Sequence, residues 1–227
     1  MSASGDLAPD TTSSRILDVA ERLVQTRGFN GFSYADIAAE VGITKASLHY
    51  HFATKAELGR TLIARYTESF ARALDSISAQ LAGADERLRA YVQLYADVLG
   101  SERMCLCGMV AAEYGTLPRA MQEAIRSFFE INENWLAQLF EAGTRAGSLA
   151  VRTPSREAAR MLVGALEGEM LVARAWGDPG RFATAATLLL APLTAGAGAV
   201  RGARAPARRA ARRRGTAARQ RAPRGGA

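Results

Sequence analysis

The stretch from Phe32 to Leu58 constrains the fold more than any other part of this 227-residue chain. Ser33, followed three residues later by Asp36, is the pairing of a hydroxyl and a carboxylate that is typical of a helix N-terminus. The apolar residues after Asp36 recur at helical spacing, and Gly42 then suits the left-handed conformation that commonly ends a helix. The first half of the stretch therefore predicts one short helix.

The second half of the same stretch predicts two more helix starts. Thr44 is placed to cap a helix that carries residues 45–51, and Thr54 with Glu57 forms a further capping box. Two helices joined by a short turn that contains glycine make up the helix-turn-helix, which places its second helix in the major groove of DNA. The stretch therefore predicts a DNA-binding regulator.

Apolar residues at helical spacing predict helices through most of the remaining chain. A helix capped by Ser13 or Ser14 runs to Thr26, and the helix that begins at Lys55 continues to about Leu81. Further helices are expected over about 85–99, 118–146, 155–176 and 179–193, with a less regular segment over 104–114. Because no strand is predicted, the expected fold class is all-α, with an N-terminal three-helix unit, a larger helical domain and about nine helices.

Composition divides the chain into four parts. Residues 1–12 are rich in Ser, Ala, Gly and Asp and are expected to be disordered, whereas 13–60 form the helix-turn-helix domain and 61–195 the helical domain. Residues 196–227 consist mainly of Ala, Gly, Pro and Arg, which cannot bury enough apolar surface to fold. They are expected to be a disordered tail.

This tail accounts for the net positive charge of the chain. The net charge is +7, but ten arginines and no acidic residue lie between positions 201 and 224, and elsewhere 19 basic residues face 22 acidic ones. Three interpretations of the tail remain open: an arm that adds phosphate contacts and non-specific DNA affinity, a solubilising extension, or a consequence of GC-rich coding bias.

Several other classes of protein are disfavoured. No apolar run approaches the roughly 18 residues of a membrane span, and the N-terminus lacks a signal-peptide pattern, so we expect a cytoplasmic protein without a membrane partner. Cys105 and Cys107 are too few for a disulfide framework. The sequence contains no Ser/His/Asp order, metal-ligand spacing or phosphate-binding glycine loop. We therefore expect neither an enzyme nor a cofactor or metal site.

The same motifs resemble the DNA-binding signature of the TetR family of bacterial transcriptional regulators. The resemblance covers residues 14–60 and is carried by FSYADIA (32–38), VGITKASLHYHF (41–52) and KAEL (55–58). It departs from the family at 49–51, where HYH stands in place of the YHH of many members. Over 60–195 it is limited to the number and length of the helices. The resemblance implies a repressor whose helical domain dimerises, binds a small-molecule effector and thereby releases its operator.

The residues expected to contact double-stranded DNA are polar and lie at helix starts or on the second helix of the motif. Helix N-termini present unpaired N–H groups to phosphate. The expected phosphate contacts are Ser33, Thr44, Tyr50 and Lys55. The expected base contacts are Lys45, Ser47 and His49. Because one short helix reads few base pairs, we expect a homodimer on a palindromic operator.

The last two long helices are the expected dimer interface, since they carry more apolar surface than one protomer needs. Gly164 and Gly168, four residues apart, would allow a partner helix to approach closely. The expected interface residues are Leu162, Val163, Gly164, Leu166, Gly168, Met170, Phe182, Leu188 and Leu189. The alternative is that the same residues pack within one protomer.

An effector pocket is expected inside the helical domain. Its expected lining is largely aromatic and apolar, and each member is also typical of an ordinary core. The residues are Tyr91, Tyr95, Met104, Cys107, Val110, Phe128, Trp135 and Glu167.

Cys105 and Cys107 suggest an alternative mode of regulation. Two residues apart on a helix, the thiols point in different directions, and one could react with oxidants or electrophiles if Arg103 lowers its pKa. Free cysteine is equally a small, inert core residue. A transcriptional activator and a helical scaffold without DNA binding also remain open, and the sequence does not identify the effector or the operator.

Overall fold

The structure is a computed structural model that describes residues 11–194. Over this range the chain forms nine α-helices and no β-strand, so the all-α prediction is confirmed. None of these helices is both long enough and apolar enough to cross a lipid bilayer. The helices are α1 (Thr12–Arg27), α2 (Tyr34–Val41), α3 (Lys45–His51), α4 (Lys55–Gln80), α5 (Ala84–Gly100), α6 (Leu106–Ala112), α7 (Arg119–Ala146), α8 (Ser155–Trp176) and α9 (Pro179–Thr194), with a 3-10 turn at Tyr114–Thr116 between α6 and α7.

Helix α1 begins earlier than the sequence predicted. Thr11 is the N-cap, because its backbone is extended and its hydroxyl accepts the Ser14 N–H at 3.2 Å. Ser13 and Ser14 lie inside the first turn and are not caps. Thr11 and Thr12 are therefore ordered, which corrects the predicted disordered segment at its end. The expectations for residues 1–10 and for the Arg-rich tail lie outside the described residues.

The caps predicted for α3 and α4 are confirmed. Thr44 Oγ1 accepts the Ser47 N–H at 3.1 Å, and Thr54 Oγ1 accepts the Glu57 N–H at the same distance. Gly42 ends α2 with φ +76°, a backbone conformation that strongly favours glycine. These boundaries were readable because each depends on chemistry within three or four residues.

Helices α1 to α3 pack around one apolar core, and we call residues 11–52 the head. Ile37, Leu48 and Phe52 are buried there. Leu48 is the buried anchor of α3, and most of the remaining surface of that helix faces solvent.

Helices α4 to α9 form the body. Helix α8 packs along α7 on one side and against α9 on the other, while α4 also packs against both α1 and α7. Aromatic rings fill the centre: the Phe70 centroid lies 5.3 Å from that of Phe128 and 6.2 Å from those of Tyr91 and Tyr95. The body therefore adds an aromatic centre to one apolar core that continues into the head.

Candidate nucleic-acid interface and effector site

Helix α3 presents a polar, exposed surface. Lys45 and His49 are exposed, Ser47 is half-buried, and 87% of Tyr50 is accessible to solvent. A tyrosine this exposed contributes little to the core, so its ring and hydroxyl are free to contact a partner. The structure brings four of the residues predicted to bind DNA onto this one helix.

Thr44 combines a capping role with a free donor. Its oxygen accepts the Ser47 N–H, which leaves the hydroxyl hydrogen available. A phosphate oxygen could accept that hydrogen without breaking the cap.

The geometry around His49 fixes which ring nitrogen carries the hydrogen. Nδ1 lies 3.2 Å from the carbonyl oxygen of Ala53, and the ring packs on Tyr34 with centroids 4.8 Å apart. A carbonyl can only accept, so Nδ1 is the donor, and Nε2 of the neutral ring is then an acceptor. In the neutral form of the ring, His49 therefore presents Nε2 as an acceptor.

Tyr34 supports α3 from behind, a role that the sequence did not suggest. Its hydroxyl donates to the carbonyl oxygen of Phe52 at 2.9 Å, directly after the end of α3. Burial, with a smaller contribution from the charge of Glu57, raises the pKa of Tyr34 to about 12, so the phenol keeps its hydrogen at neutral pH. This bond fixes the orientation of the helix in the head.

Ser33 is engaged within the head. Its hydroxyl donates to Asp36 Oδ2 at 2.6 Å, and its backbone N–H donates to the same oxygen at 2.7 Å. The two hydrogen bonds lower the pKa of Asp36. A serine has one O–H, so Ser33 cannot donate to a phosphate while this bond persists, and the adjacent carboxylate repels one. The expected phosphate contact at Ser33 is therefore corrected to a capping role.

Lys55 is turned inward. Its ammonium donates to the carbonyl oxygen of Phe32 and lies 4.1 Å and 4.8 Å from the ring centroids of Phe32 and Phe29. Partial burial lowers the pKa of Lys55. The side chain holds α4 to the turn before α2, so the expected phosphate contact is corrected to a structural one.

The carbonyl end of α1 is bound by the body. Arg174 of α8 donates to the carbonyl oxygens of Gln25, at 3.2 Å, and of Thr26, and the Met104 N–H also donates to Gln25 O at 3.1 Å. The last carbonyls of a helix lack partners within it, and here the body supplies the donors. No local pattern in the sequence indicates this role of Arg174, because its partners lie 148 and 149 residues away.

A second junction connects the end of α6 to the head. The Glu113 carboxylate accepts the Asn30 N–H at 2.8 Å, and a Cβ at Gly28 would lie 2.2 Å from Glu113 Oε1. Gly28 also has φ +84°, so both the backbone and the close approach require glycine. Both flanks of α6 therefore bond to the head, through Met104 before it and Glu113 after it.

The core of the body contains polar groups that pair with one another. The Tyr91 hydroxyl donates to Asn132 Oδ1 at 3.0 Å and lies 3.0 Å from the Tyr95 hydroxyl, while Asn132 Nδ2 donates to the carbonyl oxygen of Phe128 at 3.0 Å. Burial raises the pKa of both tyrosines well above the usual value, so they remain neutral. This chain of hydrogen bonds is satisfied.

Glu167 of α8 is the exception in this core. Its Oε1 is buried and finds no hydrogen-bond partner among the described residues, and its Oε2 lies so close to α6 that a Cβ at Gly108 would be 2.2 Å away. Burial raises the pKa of Glu167 to about 7, and a hydrogen bond from Cys105 opposes that shift. The body thus holds an imperfectly paired carboxyl group that titrates near neutral pH.

Near Glu167, whose carboxyl group is hydrogen-bonded by Cys105, the core contains a small cavity that Cys105 lines and Glu167 does not. It measures about 10 Å³, room for about one water molecule. Its lining consists of Tyr66, Phe70, Leu94, Tyr95, Val98, Cys105 and Met170.

The predicted pocket residues are only partly brought together. Tyr95 lines the cavity, and Tyr91 and Phe128 pack on Phe70 behind it. Trp135 stacks on Tyr91 and donates to Ser78 Oγ at 3.0 Å, outside the cavity lining. Met104, Cys107 and Val110 are buried in the core outside that lining, so Cys105, not Cys107, is the cysteine that borders the cavity.

Both thiols are poorly suited to redox sensing. Burial, followed by the negative charge of Glu167, raises the pKa of Cys105 and of Cys107 well above the usual value. The thiolate is the reactive form, so each side chain is held in its unreactive state. The expectation that Arg103 lowers the pKa of one thiol is therefore wrong, because burial and Glu167 raise the pKa of both.

The predicted dimer residues face two directions. Gly164, Gly168 and Leu188 are exposed and Leu189 is partly buried, but the others form the protomer's own core because α7 and α9 cover that face of α8. The predicted interface residues that this corrects are Leu162, Val163, Leu166, Met170 and Phe182. The alternative of packing within one protomer therefore holds for those five residues.

A different face of α8 and α9 is apolar and exposed. Gly164 and Gly168 have no neighbouring atom within 4 Å of an added Cβ, and large apolar side chains surround them. We call the following set the exposed stripe: Met161, Gly164, Gly168, Leu171, Val172 and Leu188. Its α8 members repeat at intervals of three and four, a signal that could have been found in the sequence. Over the described range, no group of three or more His, Cys, Asp or Glu side chains could hold a metal ion.

Comparison with family models gives two separate matches. Residues 16–60 match the model described as bacterial regulatory proteins, tetR family, and residues 84–189 match the model described as tetracyclin repressor-like, C-terminal domain. The first match contains α2 and α3, and the second contains Glu167 and the exposed stripe.

Individual relatives agree with these matches. A TetR-family transcriptional regulator from Agrobacterium tumefaciens is 31% identical, with a TM-score of 0.79, 82% of this chain covered and 100% of that one. A TetR regulator from Legionella pneumophila is 32% identical, with a TM-score of 0.75 and the same two coverages. The transcriptional regulator AcuR of Cereibacter sphaeroides is 30% identical over 129 residues, which span 55% of this chain and 58% of that relative.

Proposed function

The chain belongs to the TetR family of bacterial transcriptional regulators, and we propose that it is a repressor that binds a palindromic operator as a homodimer and is released by a small molecule. The observation that carries the proposal is the exposed polar surface of α3, anchored by the buried Leu48 and braced by Tyr34. A rigid helix of this kind can enter a major groove without rearrangement.

The donors and acceptors on α3 suggest how DNA is read. Lys45, near the start of the helix, would donate to guanine O6 or N7, and His49 Nε2 would accept from the amino group of adenine or cytosine. Thr44 and Tyr50 would donate to backbone phosphates, which sets the register of the head. Ser47 is half-buried and would make a contact at the edge of this surface.

The exposed stripe supports the homodimer. Leu171 and Leu188 are 53% and 69% exposed, and Gly164 and Gly168 between them permit close approach of another helix. Monomeric proteins rarely expose contiguous apolar surface of this kind without a partner. A two-fold axis through this face would give the two heads the symmetry of a palindrome.

Helix α6 is the element through which a movement in the body would reach the head. It lies against Glu167 at Gly108, while Met104 and Glu113 on its two sides bond to the head. A small molecule that binds more tightly to the conformation with α6 in one position than to the conformation with α6 in another would change the spacing of the two heads. Tight binding without such a preference would not release DNA.

Recovery of genomic DNA on the purified full-length protein tests the proposal. We expect enriched fragments that share a palindrome, and a reporter driven by that DNA should be repressed when the protein is expressed. Enrichment without a shared inverted repeat contradicts the dimeric mode of reading, and increased reporter expression contradicts repression.

The variant Lys45→Ala is the informative comparison in this experiment, because it removes a donor to a base and leaves the head core intact. It should lose about ten- to a hundredfold in operator affinity and relax the preference at one base pair of each half-site. Unchanged affinity and preference would contradict the assignment of α3 as the reading helix.

A further inference from the structure

We propose that the effector of this protein is a small organic ammonium ion, which binds between the Glu167 carboxylate and the aromatic rings of α4 and α5. This deepens the ligand response in the proposed function and therefore depends on it. The starting observation is the buried Glu167 Oε1, which has no hydrogen-bond partner among the described residues. Leaving a buried acceptor unpaired is unfavourable, and more so for a charged group, so a ligand that supplies a donor is favoured here.

The charge of the surroundings selects the class of ligand. The titratable side chains around Glu167 are Tyr66 of α4, Tyr91 and Tyr95 of α5, and Cys105 and Cys107 beside and within α6, and none of these can carry positive charge. A cation would therefore pair with a carboxylate that has no competing cation among those groups. An anion would be repelled, and a neutral alcohol would gain only one hydrogen bond.

The rings beside the cavity favour an apolar cation. Tyr66, Phe70 and Tyr95 line it, and the faces of such rings attract ammonium groups within about 6 Å. The Tyr66 hydroxyl has only a weak contact, 4.0 Å from Cys105 Sγ, so it is also available to a ligand. An alkyl chain would lie against Leu94, Val98 and Met170.

The size of the cavity links binding to movement. A volume of about 10 Å³ cannot hold a molecule of several heavy atoms, so the rings or α6 must shift when the ligand enters. Gly108 of α6 already touches Glu167 Oε2, so a group placed at this carboxylate displaces α6 first. Because the flanks of α6 bond to the head, this displacement would reach the DNA-binding surface.

Three probes of matched length test the proposal on the full-length protein: n-butylammonium, butan-1-ol and butanoate. Dissociation constants would be measured by calorimetry at pH 8, where Glu167 is largely ionised. Butylammonium should bind at least about tenfold more tightly than the other two, a difference of about 1.4 kcal/mol. At pH 6 that preference should shrink, because a carboxyl group with a pKa of about 7 is then mostly protonated. Equal affinity for the three probes would overturn the proposal.

Two variants locate the site. Glu167→Gln keeps the shape and removes the charge, so the preference for butylammonium should fall to within about threefold, whereas Glu169→Gln on the same helix should retain it. Glu167→Asp keeps the charge and should retain the preference with weaker binding, which covers the case in which the Gln variant fails to fold. A full preference in a folded Glu167→Gln protein would overturn the proposal.

Operator binding measured on the same samples separates this proposal from the proposed function. A protein that binds its operator but shows no preference for butylammonium contradicts the ammonium site alone. A protein that binds butylammonium through Glu167 but retains no DNA contradicts the regulatory function and leaves the site standing.

Discussion

The head and the body of this protein pack in different ways. In the head, Leu48 anchors α3, Thr44 caps it, and Tyr34 donates to the residue that follows it, so the polar groups that shape the reading helix have partners. In the body, the Tyr91–Tyr95–Asn132 chain is satisfied, but Glu167 beside it is not. The pairing around α3 favours one shape of that helix, whereas the body retains a carboxyl group whose environment a ligand can improve. Among the described residues, the head has one unpaired buried acceptor of its own, Gln25 Oε1 of α1.

The contacts between the head and the body also involve a fixed head and a body that is proposed to move. Arg174 and Glu113 bind backbone groups of the head, which have fixed positions, and both belong to the body. Movement that begins around Glu167 would therefore be transmitted to the head as a displacement of a rigid unit. The difference suggests that specificity for DNA and sensitivity to a ligand can be altered separately.

The largest expected effect comes from breaking the exposed stripe. Leu171→Arg places a charge at the proposed two-fold face, so the protein should become monomeric and lose about 10²–10⁴ in operator affinity, since each head then binds alone. Analytical ultracentrifugation measures the oligomeric state, and a DNA titration measures the operator affinity. Ile131→Arg, at a 37% exposed position on α7, is the matched control and should remain dimeric. A dimeric Leu171→Arg protein would refute this interface.

Changing Glu167 should alter the pH dependence of stability. Its folded-state pKa, about 7, lies above the ordinary value of 4.5, so between these values the folded protein binds more protons than the unfolded chain. Stability therefore falls as pH rises from about 4.5 to about 7, by about 3 kcal/mol from this group alone. Urea unfolding at pH 5 and pH 8 should show that decrease in the wild type and lack it in Glu167→Gln. Glu169→Gln is the control, and an identical pH profile for Glu167→Gln and wild type would contradict the assignment.

A smaller effect is expected when the exposed tyrosine of α3 is removed. Tyr50→Ala should reduce operator affinity about tenfold and leave the salt dependence unchanged, because a neutral hydroxyl neutralises no phosphate charge. Thermal stability should not change, because the side chain is 87% exposed. Tyr114→Ala, at a 38% exposed tyrosine of the body, should leave DNA binding unaffected. Equal effects of the two substitutions would remove Tyr50 from the interface.

The smallest expected effect concerns the thiols. Cys105 and Cys107 are buried and protonated at pH 7, so limiting peroxide or quinone should leave them unmodified and operator binding unchanged. Mass spectrometry of the treated native protein, with a urea-unfolded sample as control, measures this. Rapid modification of Cys105 together with loss of DNA binding would instead favour regulation by electrophiles.

Much of the head could be predicted from the sequence, because its signals are local. Thr44, Thr54 and Gly42 act on backbone groups within four residues, and their roles are visible in the order of the residues alone. Ser33 and Lys55 also lie at helix starts, but the Ser33 hydroxyl donates to Asp36 and the Lys55 ammonium donates to the carbonyl oxygen of Phe32. A cap position indicates where a helix begins and does not reveal whether its donor is free.

The sequence predicted the helices of the body but not which faces of those helices are buried. Leu162, Leu166 and Met170 repeat with helical spacing, and so do Met161, Gly164 and Gly168 on another face of the same helix. Spacing alone cannot decide which of the two stripes α7 and α9 cover. The same limit applies to the two cysteines. The sequence does not distinguish Cys105 from Cys107, but only Cys105 borders the cavity.

The sequence by itself determined the class of the fold, most of the helix starts and the helix proposed to read DNA, because each follows from chemistry within one or two helical turns. Only the tertiary structure decided that Arg174 and Glu113 join the body to the head, that the exposed stripe is uncovered over the described residues, and that Glu167 Oε1 lacks a partner. Those facts depend on side chains that are tens of residues or more apart in sequence, and burial brings them together. The stretch around α3 predicts DNA binding, whereas the proposed release of DNA depends on the packing around α6.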